Sequence, residues 1–379
     1  MKQVSRIIST YSADVFGVCS ALFELGGMTV MHDASGCNST YTTHDEPRWY
    51  DMDSMVYISG LTQMEAILGE DEKLIGDIVS AAEQLHPRFI AIAGTPIPAM
   101  TGFDYEGAAR LIEHRTGIPA FGFATTGMEH YVLGAGMAFA ALAERLVQHQ
   151  ERTERPSVNI LGLTPLDFSV NGTDRAIAAR LEENGWQVCS RWAMGSSLEE
   201  LAGAAAAHVN LVVSETGLEA AKRLRRRFGT PYVVGVPYGG AWSEQLLRAL
   251  EEAAKTGENR LPRVGGGDGE IILIGEAVTA RSLACAIELE TGKSTRVISP
   301  TCLDRTLLRQ SDVLCREEAE LEELLQQADV VIADPLYRPI CPKHAAFVDL
   351  PTEAFSGRMF RDQIPELVTG LANFLKEVE

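Results

Sequence analysis

The chain has 379 residues, 46% of them hydrophobic, so it is long enough to bury two or three separate cores. Its net charge of −19 would repel a phosphate backbone, which argues against nucleic-acid binding. No apolar run reaches the roughly 18 residues that a membrane-spanning helix needs, and the N-terminus lacks the apolar core of a signal peptide. We therefore expect a cytoplasmic protein without a membrane partner, in which the seven cysteines are not a disulfide framework.

Short apolar runs alternate with amphipathic stretches along almost the whole chain. This alternation predicts parallel sheets covered by helices on both faces. The predicted strands are 28–31, 55–58, 89–93, 120–123, 158–163, 187–190, 211–213, 232–236, 271–274, 296–298, 330–333 and 346–348. The predicted helices include 13–25 with Ser12 as its cap, 71–85, 105–115, 174–184, 198–208, 218–228 and 243–255.

Two linkers divide these elements into three groups. Residues 149–156 are polar and end in proline, and residues 263–269 are rich in glycine. We predict an α/β protein with three Rossmann-like, doubly wound parallel-sheet domains around a central cleft. The predicted domains are residues 1–152, which would bind a cluster, 153–264 and 265–379.

Two cysteines of the first domain are the first candidates for a functional site. Cys37 ends the segment MHDASGC, in which a strand runs into a turn of small residues, and Cys19 falls late in the first predicted helix. Ligands gather at the carboxyl ends of strands in such folds, and two thiolates make half of the ligand set of a [4Fe–4S] cluster. The spacing alone also allows either cysteine to be structural.

Several segments resemble the nitrogenase component 1 family. MHDASGC (31–37) is similar to that family's strand-to-cluster turn, and SGLTQMEAILGEDEKLIGDIV (59–79) to the segment that follows it. RFIAIAGTPIPAMTGFDYEGAA (88–109), TGIPAFGFATTG (116–127) and three segments between 158 and 239 also look like the family. Beyond about residue 240 the resemblance is in outline only.

The resemblance implies a homodimer, or a heteromer with a related subunit, that has an iron–sulfur cluster at or near the subunit contact. It also implies electrons from a separate ATP-dependent iron protein, and a substrate reduced between the domains. Cys19 and Cys37 match the family's first two cluster cysteines, whereas Thr95-Pro96 stands where a third is usual. Two identical chains could share one [4Fe–4S] cluster, a partner subunit could supply three cysteines, or His32 or Asp33 could replace a thiolate.

Further candidate ligands and acids lie elsewhere. The family resemblance leaves room for a second metallocofactor, and Cys302, Cys341 and His344 follow predicted strands, although no family motif matches them. His44 beside carboxylates, and His130, are candidate proton donors, each with a plain loop as the alternative interpretation.

Three functions stay open at this point. The chain lacks a GxxxxGK[ST] loop, so it should not hydrolyse ATP itself, which agrees with a component that receives electrons. The first hypothesis is a nitrogenase-like reductase acting on a tetrapyrrole or another small molecule. The second is a scaffold or carrier for a metallocluster, without turnover. The third is a metal-chelate binding module that has lost the cluster.

Overall fold

The computed structural model describes residues 5–34, 36, 38–267 and 269–378. Within these residues the strands form three sheets, and every strand pair is parallel. The predicted α/β fold with three doubly wound parallel sheets is therefore confirmed. Each sheet lies inside one of the three predicted domains, whose exact boundaries stay a prediction.

The first sheet has the strand order β2-β1-β3-β4. Its strands are β1 (Met28–His32), β2 (Met55–Ile58), β3 (Ile90–Gly94) and β4 (Ala120–Phe123). The helices of this part are α1 (Asp14–Leu22), α2 (Gln63–Leu68), α3 (Asp71–Leu85), α4 (Pro96–Thr101), α5 (Tyr105–Thr116) and α6 (Tyr131–Arg145). A π-helical turn, Tyr41–Asp45, follows the first strand.

The second sheet repeats this order as β6-β5-β7-β8. Its strands are β5 (Ser157–Leu161), β6 (Gln187–Arg191), β7 (Val209–Val212) and β8 (Tyr232–Val234). Its helices are α7 (Pro165–Phe168), α8 (Thr173–Glu183), α9 (Leu198–Ala202), α10 (Leu218–Phe228) and α11 (Ala241–Thr256).

The third sheet has five strands in the order β11-β10-β9-β12-β13. Its strands are β9 (Ile271–Ile274), β10 (Thr295–Ser299), β11 (Val313–Leu314), β12 (Val330–Ala333) and β13 (Ala346–Asp349). Its helices are α12 (Ala277–Thr291), α13 (Glu318–Leu324) and α14 (Leu367–Val378), with 3₁₀ turns at Pro335–Ile340 and Gly357–Gln363. In each sheet the winding direction reverses beside the first strand: between β1 and β3, β5 and β7, and β9 and β12.

Helix α6 connects the first two parts, because it packs on α1 and on α10. Two glycines allow the close approach of α1 and α6. A Cβ on Gly134 would lie 1.8 Å from the Asp14 carbonyl oxygen, and one on Gly17 would lie 2.0 Å from that of Tyr131.

Three local predictions were wrong. Helix α1 ends at Leu22 rather than at 25, and Ser12 does not cap it, because residues around Ala13 pair with His130 in an isolated bridge and so set its start. The predicted helix 198–208 breaks after Ala202, at Gly203, and continues as the 3₁₀ turn Ala204–Ala206. The two-residue strand β11 was not predicted, since it is too short to show a pattern.

The buried apolar side chains form one large core that runs through all three parts, and a smaller core under α3 and α5 on the outer face of the first sheet. No helix within the described residues is both long and apolar enough to cross a membrane.

Candidate functional site

Cys19 lies on the buried face of α1, with none of its surface exposed. Burial raises the pKa of its thiol well above the usual value, and the nearby Glu46 carboxylate raises it further. The thiol is therefore neutral unless a metal displaces its proton. Cys37, the second predicted thiolate, lies outside the described residues.

Two buried hydroxyl groups accompany this thiol. Tyr41 lies close to the Cys19 thiol, and its hydroxyl lies near that of Ser20. Neither hydroxyl makes a hydrogen bond of good geometry with the described residues. Because the two hydroxyls face each other, the pair has at least one proton to donate to an acceptor beside the sulfur. We call Cys19, Ser20, Tyr41 and the Glu46–Arg48 pair the thiol region.

Arg48 anchors the segment after the π-helical turn to α1 and to the second part of the chain. Its buried guanidinium lies 2.6 Å from a Glu46 carboxylate oxygen and 3.1 Å from one of Glu24. It also donates at 2.9 Å to the carbonyl oxygens of Ser20 and Ala193, so it links α1 to the second part of the chain. A buried arginine with four acceptors holds the turn rigidly in place.

His44, a candidate proton donor, lies half-exposed in the π-helical turn, and its Nδ1 contacts the Thr43 hydroxyl at 2.9 Å. Its Nε2 lies 3.6 Å from an oxygen of Asp45. The same Asp45 carboxylate accepts a hydrogen bond from Tyr11 and pairs with Arg358 at 3.1 Å. The turn is therefore tied to the C-terminal part of the chain.

The turn after β1 is held by hydrogen bonds. His32 Nδ1 lies 2.9 Å from the Ser59 hydroxyl, and burial lowers the pKa of its ring to about 4. Asp33 accepts from the side-chain amide of Asn38 at 2.9 Å. Thr95, at the position of the family's third cysteine, donates at 2.7 Å to the carbonyl oxygen of His32. These contacts agree with structural roles for His32 and Asp33.

The central cleft contains three buried carboxylic acids that the sequence reasoning missed. Asp167 lies in α7 after β5, Glu215 follows β7, and Glu276 follows β9. The carboxyl ends of β5, β7 and β9 adjoin the points where the winding direction reverses, which is where ligands bind in such folds. We call Asp167, Glu215 and Glu276 the acidic centre.

Members of the acidic centre line two different cavities. An enclosed cavity of about 60 Å³ is lined by Asp167 and Glu276, by the tyrosines Tyr131, Tyr238 and Tyr337, and by apolar side chains. An open groove of about 930 Å³ lies between α6, α10 and the loop 303–306, and Glu215 lines it. Of these two cavities, the groove is the one with the size of a typical cofactor or substrate pocket.

The remaining candidates are dispersed. Cys302 is fully buried close to Glu215 and Glu276, and burial raises the pKa of its thiol. Cys341 is half-buried and His344 is exposed on the loop after the 3₁₀ turn. His130 is half-buried before α6, where burial and Arg316 lower its pKa. Among the residues that the structure describes, no three His, Cys, Asp or Glu side chains form a metal-binding group.

The family model of the nitrogenase component 1 type oxidoreductases matches residues 15–264, more than half of the chain. The chain belongs to this family. A light-independent protochlorophyllide reductase subunit of Prosthecochloris aestuarii is 28% identical over 202 residues, which cover 51% of this chain and 37% of that protein. The nitrogenase iron-molybdenum cofactor biosynthesis protein NifE of Klebsiella pneumoniae is 26% identical over 216 residues, which cover 54% and 47%. These matches span less than half the length of either relative.

A solved structure, nitrogenase Cp1 at pH 6.5, superposes with a TM-score of 0.70 at 16% identity. The superposition covers 100% of this chain and 93% of that chain. It supports the fold along the whole chain, including the third part, where the family model does not match.

One sequence signal would have found two of the missed acids. Glu215 and Glu276 each follow shortly after a fully buried strand, in the segments VVSETG and ILIGEA. A charged residue directly after a strand of a doubly wound family member lies at the ligand-binding edge. Asp167 gives a weaker signal, since it lies further from the end of β5 and inside a short helix.

Proposed function

We propose that the chain is a nitrogenase-like reductase component. In this proposal Cys19 and Cys37 hold an iron–sulfur cluster, a [4Fe–4S] cluster shared with a second subunit, that relays electrons from an ATP-dependent iron protein. The substrate is a tetrapyrrole or another small unsaturated molecule in the cleft. The observation that carries the proposal is a fully buried cysteine beside a pair of buried hydroxyls in a member of this family.

The thiol region fits such a cluster chemically. The inorganic sulfides and thiolates of a cluster accept hydrogen bonds, and such bonds tune its potential. The Ser20 and Tyr41 hydroxyls are buried near Cys19 and close to each other, so the pair can donate a hydrogen bond to a cluster. Metal binding would also deprotonate the Cys19 thiol, which burial otherwise keeps neutral.

An exposed apolar surface supports the sharing of this cluster between two subunits. Helices α2 and α4 contact each other and leave large side chains exposed. These side chains are Met64, Ile67, Leu68, Ile97 and Met100, of which Met100 is 86% exposed. The two helices follow β2 and β3, the strands on either side of β1, which leads into the Cys37 turn. A contiguous apolar surface of this kind is typical of a subunit contact.

The open groove is the better substrate site of the two cavities. Its wall combines apolar side chains, such as Phe123, Val132 and Met137, with charged groups at the rim, such as Lys222 and Arg305. A volume of about 930 Å³ can hold a tetrapyrrole, whereas the enclosed cavity holds only a few small molecules such as water.

The test is the iron and acid-labile sulfide content of anaerobically purified protein, with electron paramagnetic resonance after dithionite reduction. We expect roughly two irons per chain, one four-iron cluster for two chains, and loss of this iron in Cys37→Ala and Cys19→Ala. Cys189→Ala is the matched control, because Cys189 is a half-buried cysteine on β6 and should leave the iron content unchanged.

The outcomes separate the proposed functions. Iron that persists in both Cys37→Ala and Cys19→Ala would contradict the ligand assignment. Protein without iron, even when it is copurified with a related subunit, would contradict the reductase and favour a binding module without a cluster. Roughly four irons per chain would mean further ligands, with Cys302 and Cys341 the first to replace.

A scaffold or carrier for a metallocluster is the second candidate. The similarity to a protein named for iron-molybdenum cofactor biosynthesis favours it. The scaffold predicts transfer of bound iron to an apo-acceptor without consumption of reductant. The reductase predicts conversion of a supplied acceptor, for which protochlorophyllide is a suitable probe, and only with the iron protein, ATP and reductant present.

A further inference from the structure

All three parts of the chain contribute to the wall of the enclosed cavity. Tyr131 belongs to the first part, and Asp167 and Tyr238 belong to the second. Glu276 and Asp334 belong to the third part. The rest of the wall consists mainly of apolar side chains. An occupant of this cavity would therefore contact every part of the chain at once.

Two carboxyl groups of the wall are held by hydrogen bonds. Glu276 accepts from three backbone N–H groups at 2.9–3.0 Å. Asp334 accepts from two backbone N–H groups and from the Ser356 hydroxyl, also at 2.9–3.0 Å. Donors of this kind favour the charged form of a carboxyl group. Among the residues that the structure describes, however, no basic side chain lines the cavity to balance that charge.

Two tyrosine hydroxyls at the same cavity are unpaired. Tyr238 is 7% exposed and Tyr337 is 4% exposed, and neither hydroxyl has a hydrogen-bond partner among the described residues. The Tyr238 hydroxyl feels the charges of Glu276 and Asp167, and that of Tyr337 feels the charge of Asp334. Each hydroxyl therefore lies near a carboxyl group without bonding to it. Because buried hydroxyls are normally paired, this arrangement indicates a polar occupant between the two kinds of group.

The size and chemistry of the cavity define the class of this occupant. A volume of about 60 Å³ holds roughly four to six groups of the size of water. The carboxyl groups do not converge on one point, since no three His, Cys, Asp or Glu side chains of the described residues form a metal-binding group. An anion would be repelled by them, and a neutral molecule would leave their charge unbalanced. A primary ammonium group supplies both a positive charge and three N–H donors, and a short alkyl chain matches the apolar wall.

We propose that the enclosed cavity binds a small primary alkylammonium ion of about three to five non-hydrogen atoms. Its N–H groups bond to the unpaired tyrosine hydroxyls and to the carboxyl groups beside them, and its carbon chain packs on the apolar wall. The bound ion stabilises the arrangement of the three parts, because it contacts all of them. The site is distinct from the thiol region and from the open groove, so this proposal does not depend on the proposed reductase.

The test is isothermal titration calorimetry of the full-length protein with propylammonium chloride. The buffer contains about 0.15 M sodium chloride, because the net charge of −19 attracts any cation to the surface and salt screens this attraction. We expect saturable binding of propylammonium. 1-Propanol, a neutral molecule of the same size, should bind at least about tenfold more weakly, since it lacks the charge. Tetraethylammonium, a cation too large for the cavity, should show no saturable binding.

A variant assigns the binding to the cavity. Tyr238→Phe removes one unpaired hydroxyl and adds no polar group, so it should weaken the binding of propylammonium by about fivefold or more. Tyr105→Phe is the matched control, because Tyr105 is a buried tyrosine on α5 that does not line the cavity, and it should leave the binding unchanged. Equal affinities of these two variants would contradict the assignment.

Three results with the unmodified protein would overturn the proposal, and none of them requires a variant to fold. The first is an absence of saturable binding of propylammonium. The second is equal affinity for 1-propanol, which would mean that charge plays no part. The third is equal affinity for tetraethylammonium, which would mean that the cation binds at the surface. The titration measures neither iron nor electron transfer, so its failure is distinguishable from a failure of the iron assay.

Discussion

The thiol region and the acidic centre differ in how they accommodate buried carboxyl groups. Both contain buried carboxyl groups. In the thiol region Arg48 neutralises Glu46 and Glu24. In the acidic centre no basic side chain among the described residues lines the enclosed cavity, and burial raises the pKa of Asp167 to about 7. The ion pairs of the thiol region keep its carboxylates charged and in place, whereas burial without a cation in the acidic centre favours the protonated form of a carboxyl group.

The largest effect is expected from Arg48→Ala. The change leaves Glu46, which is fully buried, without its cation, and it removes the links to Ser20 and Ala193. We expect the free energy of unfolding to fall by about 3–5 kcal/mol, measured by urea denaturation. Arg110→Ala is the control, because Arg110 forms only exposed ion pairs on α5 and should cost less than about 0.5 kcal/mol. Equal losses for the two variants would contradict a rigid thiol region.

The sequence predicted the fold well because the fold depends on alternating apolar runs. Strands β2, β4, β9 and β12, and helices α3 and α10, have the bounds that the pattern predicts. The family resemblance also pointed to Cys19 and Cys37 as matches to the family's first two cluster cysteines, and their role as ligands stays a prediction.

The acidic centre was not predicted, because it is created by topology. Asp167 and Glu276 are more than a hundred positions apart in the chain, and only the packing of two sheets brings them to one cavity. Burial is the main cause of their raised pKa values, and it is produced by tertiary packing rather than by neighbouring residues in the sequence. The Arg48 contact with Ala193 is likewise a product of tertiary packing.

A smaller effect, visible in its pH dependence, is expected from Asp167→Asn. The folded-state pKa of Asp167 is about 7, above its ordinary value of 3.8, so between these values the folded state binds a proton that the unfolded state lacks. Asp167 therefore lowers stability as the pH rises from 5 to 7, and the variant should lose this slope, which amounts to about 2 kcal/mol. Urea denaturation at both pH values measures it. A parallel shift of both values would mean that Asp167 is already ionised at pH 5.

The smallest of these effects, with the opposite sign, is expected from His32→Asn at the end of β1. Burial lowers the pKa of His32 to about 4 from an ordinary 6.5, so as the pH falls from 6.5 towards 4 the unfolded state takes up a proton first. His32 therefore lowers stability at acid pH, by about 1.8 kcal/mol between pH 7 and pH 5. The introduced amide does not titrate and can keep the contact with Ser59, so the variant should lose this acid sensitivity in the same denaturation series.

His114→Asn, a change of an exposed histidine on α5, is the control and should leave the pH dependence of stability as it is. If His32→Asn and His114→Asn behave alike, the imidazole is solvated, and the turn after β1 is more open than its contacts with Ser59 and Thr95 indicate.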